Sequence, residues 1–283
     1  MWMKYLNSRK ASINRKSGLL IIAIGFFIFI AFNTNAQFSY ESIIETDASF
    51  FTIDPLDNIY LAESGAIIKI NESTGERSNF SNPLYGSFDI IDSSDPLNIL
   101  AFSASLGIIT FLDKNLVEKE TFSINDDFFK ERPGLACNSR LEGFWVYYPE
   151  LWQFSRINRK NQVLTTTLPM HNLEYNFSEP CFMIETDSRL YVSDYENGIF
   201  VFDVFGGFLF KIPLKNVCTF QVLNNYIVYF TKNQLCLYDF FLHKESLILL
   251  PEANIKSGFL NYPFVYLLTK QGLKKYYTII ELF

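Results

Sequence analysis

The side chains able to do chemistry are few. The chain has two histidines, His171 and His243, and four cysteines. A three-ligand zinc site would have to add carboxylates or cysteines, and these show no ligand spacing; no CxxC pair exists. Neither a Gly-x-Ser-x-Gly elbow nor a Gly-rich phosphate loop appears. No catalytic residue, metal or cofactor is therefore expected. Three acidic pairs, Asp54/Asp57, Asp92/Asp95 and Glu185/Asp187, have the composition of a calcium site or of a glycosidase pair. All three fall beside turns, where Asp and Asn close the chain by side-chain-to-backbone bonds, and that plainer role is expected.

The elements that carry these residues recur. Short apolar strands centre on Tyr60, Leu100, Val146, Tyr191, Tyr229 and Tyr266, at intervals of about 40 residues. A second strand follows each, ending in five copies at Asn71, Asp113, Asn158, Asp203 and Asp239. In the first copy the pattern predicts strands A to D over Ser49–Ile53, Ile59–Glu63, Ala66–Ile70 and Glu76–Phe80. The second predicts Phe88–Ile91, Ile99–Ser103, Ile108–Leu112 and Val117–Ile124. Segments such as Phe144–Tyr148 and Gly198–Phe202 are apolar on both faces. A sandwich strand would leave one face wet, whereas a blade packed between neighbours buries both. The reading is all-β: a β-propeller of six four-stranded blades. The sixth copy ends without a D strand, and Phe38–Ile44 is a strand to spare, so Phe38–Ile44 is expected to pair with Leu273–Ile280 and close the ring. An outer-membrane barrel would need strands about twice as long, with strict alternation.

Residues 1–36 read as a targeting segment. Lys4, Arg9, Lys10, Arg15 and Lys16 precede an apolar run of 14 residues, Leu19–Phe32, and Thr34-Asn35-Ala36 sets a cleavage site before Gln37. As a helix that run spans roughly 21 Å, short of the roughly 30 Å bilayer core. Residues 37–283 then form a single propeller domain carrying 19 basic and 30 acidic residues, a net −11. So acidic a surface repels phosphate backbones, which excludes nucleic acid as a partner. Cys137, Cys181 and Cys218 recur at one repeat position and are expected to be buried free thiols rather than disulfide partners.

Asn71-Glu72-Ser73-Thr74-Gly75-Glu76-Arg77 resembles the C–D turn of quinoprotein-type propeller repeats, in which an acidic or amide residue precedes Thr-Gly, and Asp203-Val204-Phe205-Gly206 keeps part of it. Asn caps such a turn with its side chain, and Gly takes the positive-φ position. The resemblance implies the propeller fold. Those relatives usually have more blades and a recurring docking Trp, both missing here, so their cofactor is not carried over. Some exported propellers of similar kind are accessory subunits of outer-membrane assembly or secretion machines.

In a propeller the D–A and B–C connections emerge on one face (the loop face) and the A–B and C–D turns on the other (the turn face). The two longest connections are D–A loops that flank the third copy: Asn125–Gly134, with Phe128, Phe129 and Arg132, and Pro169–Pro180, with His171 and Tyr175. Between them lies the richest aromatic stretch, Phe144–Phe154. Its Tyr147, Tyr148 and Trp152 flank the Pro149-Glu150 turn and either pack between blades or reach the rim. Long loops in a compact repeat fold are disproportionately functional. The candidate interaction face is therefore Phe128, Phe129, Arg132, Tyr147, Tyr148, Glu150, Trp152, His171 and Tyr175. The leading reading is a non-catalytic, exported, protein-binding module of the periplasm or cell surface, in an envelope or outer-membrane complex. The alternative is a glycan-binding or lyase propeller with its site at the channel mouth, where Asp54, Asp89 and Glu185 lie on innermost strands without forming a ring of acids.

Overall fold

A computed structural model describes residues 37–123 and 131–279. The leader, Phe128, Phe129 and Ile280 lie outside the described residues. The strands form six four-stranded antiparallel sheets around a common axis, a six-bladed β-propeller. Strand β1 (Phe38–Ile44) precedes blade 1, which comprises β2 (Phe50–Ile53), β3 (Asn58–Glu63), β4 (Ala66–Asn71) and β5 (Arg77–Ser81). Blade 2 follows as β6 (Ile90–Asp92), β7 (Ile99–Ser103), β8 (Ile108–Leu112) and β9 (Glu118–Ser123). Blade 3 is β10 (Leu135–Asn138), β11 (Phe144–Tyr148), β12 (Gln153–Ile157) and β13 (Val163–Thr166). Blade 4 is β14 (Pro180–Thr186), β15 (Arg189–Asp194), β16 (Gly198–Asp203) and β17 (Phe208–Ile212). Blade 5 is β18 (Gln221–Leu223), β19 (Tyr226–Phe230), β20 (Gln234–Asp239) and β21 (Lys244–Leu249). Blade 6 joins β22 (Ser257–Asn261), β23 (Phe264–Thr269) and β24 (Gly272–Thr278) to β1.

The closure is the one expected. Strand β1 pairs antiparallel with β24, from Phe38 opposite Thr278 to Ile44 opposite Leu273. Its own side chains are mostly exposed. The strand therefore closes the ring mainly through its backbone ladder, with Phe38 and Ile44 at its ends packed half-buried against the neighbouring apolar clusters.

Burial follows position within a blade. Middle strands such as β7, β8 and β11 are buried at every residue because a neighbouring blade covers each face, while outer β9 exposes Glu118, Lys119 and Glu120. The core is thus divided into six apolar clusters, one between each pair of adjacent blades, as with Phe111, Phe122 and Phe144 between blades 2 and 3.

The recurring Asn and Asp residues close the C–D turns. Asn71 Oδ1 accepts from Thr74 N at 2.9 Å and Ser73 Oγ at 2.7 Å, and Gly75 takes φ +72°. Oδ1 of Asp113, Asn158, Asp203 and Asp239 each accepts two backbone N–H groups of the turn that follows. Blade 6 takes its D strand from the other end of the chain, so it has no C–D turn and no such residue.

The cysteines depart from expectation. Cys137 is a buried thiol, as is Cys236, but Cys181 and Cys218 form a disulfide, with Cα atoms 5.6 Å apart. The register of β14 against β15 slips between Pro180 and Phe182, so Cys181 is a bulged residue. A bulge re-aims its side chain, here toward the connection between blades 4 and 5 that carries Cys218. That connection leans on blade 4, with Val217 O accepting from Ser193 Oγ.

Candidate functional site

On the loop face of blade 3, β11 runs into a short 3-10 turn, Pro149–Leu151, capped by Trp152. Trp152 has φ 54°, in the left-handed region, and its N–H donates to Pro149 O at 3.2 Å. A bulky side chain in that region is strained. The indole is 39% exposed and meets Phe177 edge-on at 6.0 Å; Glu150 and Leu151 beside it are exposed as well. Tyr147 and Tyr148, by contrast, are buried, at 3% and 7% exposure. Tyr147 stacks on Phe154 at 4.7 Å, and burial pushes the hydroxyls of both tyrosines up to about 12. They are core residues between blades and offer a partner no surface.

The connection from blade 3 to blade 4 is pinned at several points. Met170 is fully buried and its N–H donates to Trp152 O at 2.8 Å. Phe177 packs on Phe200 at 5.2 Å. Asp194 holds the far end, accepting from Ser178 N at 2.6 Å and Ser178 Oγ at 2.8 Å. Burial alone would raise the Asp194 carboxyl; the bonds from Ser178 and Asn197 outweigh it and hold it below the ordinary aspartate value. Tyr175 is left 45% exposed, 5.6 Å from Phe208, with the Lys211 ammonium 5.2 Å from its ring. His171 is exposed at a short 3-10 turn, Met170–Asn172. Arg132, also exposed, ties the preceding loop to blade 2 through Nη1 to Ser105 O at 2.9 Å.

The structure adds exposed residues to this sector that sequence reasoning did not single out: Leu106 and Tyr195 in the B–C turns of blades 2 and 4, and Leu168 between blades 3 and 4. Each is an apolar residue inside a turn, a signal readable once turns are searched for apolar as well as polar residues. A second group, also missed, lies on the turn face: Leu56, Leu97, Leu141, Phe205, Phe241, Leu242 and Tyr262, each more than half exposed and at least one from every blade.

The carboxylates near the channel are hydrogen-bonded within the fold, Asp54 and Glu185 through both oxygens and the exposed Asp89 through one. Asp54 Oδ1 accepts from Leu56 N and Asn58 N, and Oδ2 from Asn58 Nδ2 and Tyr60 Oη, all within 2.9 Å. Burial and that carboxylate drive the Tyr60 hydroxyl far above its usual value. Asp89 accepts from Ala104 N at 2.8 Å, and Asp92 from Ser94 N and Asn138 N. Glu185, buried, accepts from Trp145 Nε1 at 2.6 Å and Arg140 N at 2.9 Å, tying blade 4 to blade 3. Among the described residues no three His, Cys, Asp or Glu side chains come together as a metal site.

No protein-family model matches the chain, and no curated protein matches it by sequence. Solved structures share its fold. A chain of the mitotic checkpoint complex superposes with a TM-score of 0.60 at 10% identity, covering 88% of this chain and 94% of that one. Virginiamycin B lyase from Staphylococcus aureus gives 0.58 at 12% identity, over 86% and 100%. BamB from Moraxella catarrhalis gives 0.55 at 10% identity, over 88% and 99%. At such identities the likeness is one of fold: this chain is a β-propeller, similar in architecture to proteins of unlike function. No helix among the described residues is long and apolar enough to cross a membrane.

Proposed function

We propose that this propeller is an exported, non-catalytic module whose loop face, over blades 2 to 4, docks a protein partner in an envelope or outer-membrane complex. Trp152 carries the reading. A tight turn that needs a left-handed residue is best served by Gly or Asn, yet here it holds an indole and leaves it 39% exposed. Strain kept at an exposed aromatic, beside the long pinned connection from blade 3 to blade 4, is the pattern of a binding anchor. The disulfide between Cys181 and Cys218 and the apolar leader at residues 19–32 both fit an oxidising compartment outside the cytosol. The likeness to BamB and to a chain of the mitotic checkpoint complex fits a propeller that works by assembly. The carboxylates of Asp54 and Glu185, each engaged through both oxygens, speak against the lyase and glycosidase alternatives.

The test places a photo-crosslinking residue at Trp152, at Tyr175, or at Phe241 on the turn face. Crosslinking to one defined envelope protein from Trp152 and Tyr175 and not from Phe241 is expected. Trp152→Ala with Tyr175→Ala should weaken its capture by the scale of an interface anchor, about 2 kcal/mol or more. A partner reached only from the turn face, or capture untouched by the double substitution, overturns the reading.

A further inference from the structure

We propose that the turn face carries a second site, independent of the partner on the loop face: an oxyanion-binding cleft between blades 2 and 3, in which Arg140 and Arg159 hold the carboxylate or phosphate of a small ligand. The cleft has a volume of about 420 Å³ and is walled by the A–B turns of blades 2 and 3 and by the C–D turn of blade 3. That is within the range of small-molecule sites, about 300–1,000 Å³. Its lining residues include Arg140, Arg159 and one acidic residue, Asp95, in a chain whose formal net charge is −6. Glu120 pairs with Arg159 from outside the lining, which leaves Arg140 as the cation of the cleft without an ion-pair partner among the described residues.

The hydrogen bonding engages the side-chain oxygens of Asp95 and Asn98 and the amide donor of Asn138, and leaves guanidinium donors of Arg140 and Arg159 unspent. Asp95 is turned into its own turn, Oδ1 accepting from Leu97 N at 2.9 Å and Oδ2 from Asn98 Nδ2 at 2.7 Å. Asn98 Oδ1 accepts from Arg159 Nη2 at 3.2 Å and from Lys119 Nζ. Asn138 spends its amide on the carbonyls of Asp92 and Asn98. Arg159 is fixed in place: Nη1 reaches Glu120 at 3.2 Å, and the guanidinium lies over the Phe111 ring at 4.3 Å. A guanidinium has five N–H donors, so Arg159 keeps most of them after those two bonds. Arg140 is held by its backbone, whose N–H donates to Glu185 at 2.9 Å, while its exposed side chain makes no hydrogen bond or ion pair among the described residues. One pre-oriented guanidinium and one free to close on a ligand form a two-sided clamp for an oxyanion, the group that planar N–H forks match best.

The site is tested by calorimetric titration of the purified protein at low salt with inorganic phosphate, with glucuronate, and with glucose as the neutral control. Saturable binding of at least one anion and none of glucose is expected. Phosphate as the tighter ligand marks the site for phosphoryl groups, and glucuronate for sugar acids or other carboxylates. Because the Arg140 side chain supports nothing else, Arg140→Gln should melt within about 1 °C of the parent while weakening the anion about tenfold or more, the scale of one lost charge-assisted pair. Arg140→Lys, which keeps the charge and loses the fork, should fall between. If neither anion binds saturably, or if Arg140→Gln binds as the parent does, the cleft is an ordinary crevice between blades and the proposal fails.

Discussion

On the turn face every blade contributes an exposed apolar side chain, from Leu56 in blade 1 to Tyr262 in blade 6, each at the tip of a short turn. On the loop face the exposed apolar side chains gather mostly around blades 2 to 4, as Leu106, Leu151, Trp152, Leu168, Tyr175 and Tyr195, with Leu84 in the connection that leads into blade 2, and the B–C turns of blades 5 and 6 expose Lys232 and Lys270. The turn-face residues are mostly the more exposed of the two sets, so exposure alone would favour the turn face. What separates them is symmetry. Leu56 and Leu97 follow the same Asp-Pro pair, and each has its N–H bound by that Asp, at 2.8 and 2.9 Å. A feature copied around the ring follows from how a blade closes its turns. A feature confined to one sector needs a cause outside the repeat, and that is the basis for placing the partner on the loop face.

The comparison can be broken at its root by removing the strand both faces depend on. Deleting residues 37–44 strips β24 of its ladder, and several hydrogen bonds at about 1 kcal/mol each put the expected loss at roughly 4 kcal/mol or more. A thermal melt should show a lower, broader transition; an unchanged midpoint would mean that the ring does not depend on its closure. On the turn face, Asp54→Ala orphans the buried Asn58 amide and Tyr60 hydroxyl together with two turn N–H groups. It should cost about 3 kcal/mol in a urea titration and leave loop-face crosslinking intact once folded.

On the loop face the sensitive polar group is Asp194. Its folded pKa is depressed, so the stability it adds is present above the unfolded value, about 3.9, and is lost as pH falls through the folded value. The protection of the Ser178 and Asn197 amides, with exchange rates corrected for their intrinsic pH dependence, should therefore fall on acidification below about pH 4, before the ring unfolds. Asp194→Asn should abolish that pH step. Of the changes to the two faces compared above, the smallest stability change is expected at the proposed anchor. Trp152→Gly relieves the left-handed strain and loses the edge contact with Phe177, so the two should cancel to within about 1 kcal/mol. Capture of the partner should still be lost. A large loss of stability would make Trp152 a packing residue and erase the distinction between the faces.

Much of this molecule is legible along the chain. The spacing of apolar runs separates one blade from the next, and the Asn and Asp that end the C strands mark turns because an Oδ1 two residues before a backbone N–H closes a loop in any tertiary setting. Ring closure follows from counting: one copy lacks an outer strand and the chain start has one to spare. All of these are local or arithmetic facts. What the chain could not reveal depends on packing between blades. Tyr147 and Tyr148 flank a turn, as rim residues do, but belong to a strand buried on both faces. Cys181 joins Cys218 because a bulge turns one side chain out of the repeat, a backbone irregularity with no mark in composition. The clamp of Arg140 and Arg159 brings together two turns of blade 3 and a wall from blade 2. Its donors and acceptors can be sorted into spent and unspent only when their partners, 39 to 61 residues away in the chain, stand beside them. Local chemistry set the turns and the strands, and the meeting of neighbouring blades decided which side chains were left over.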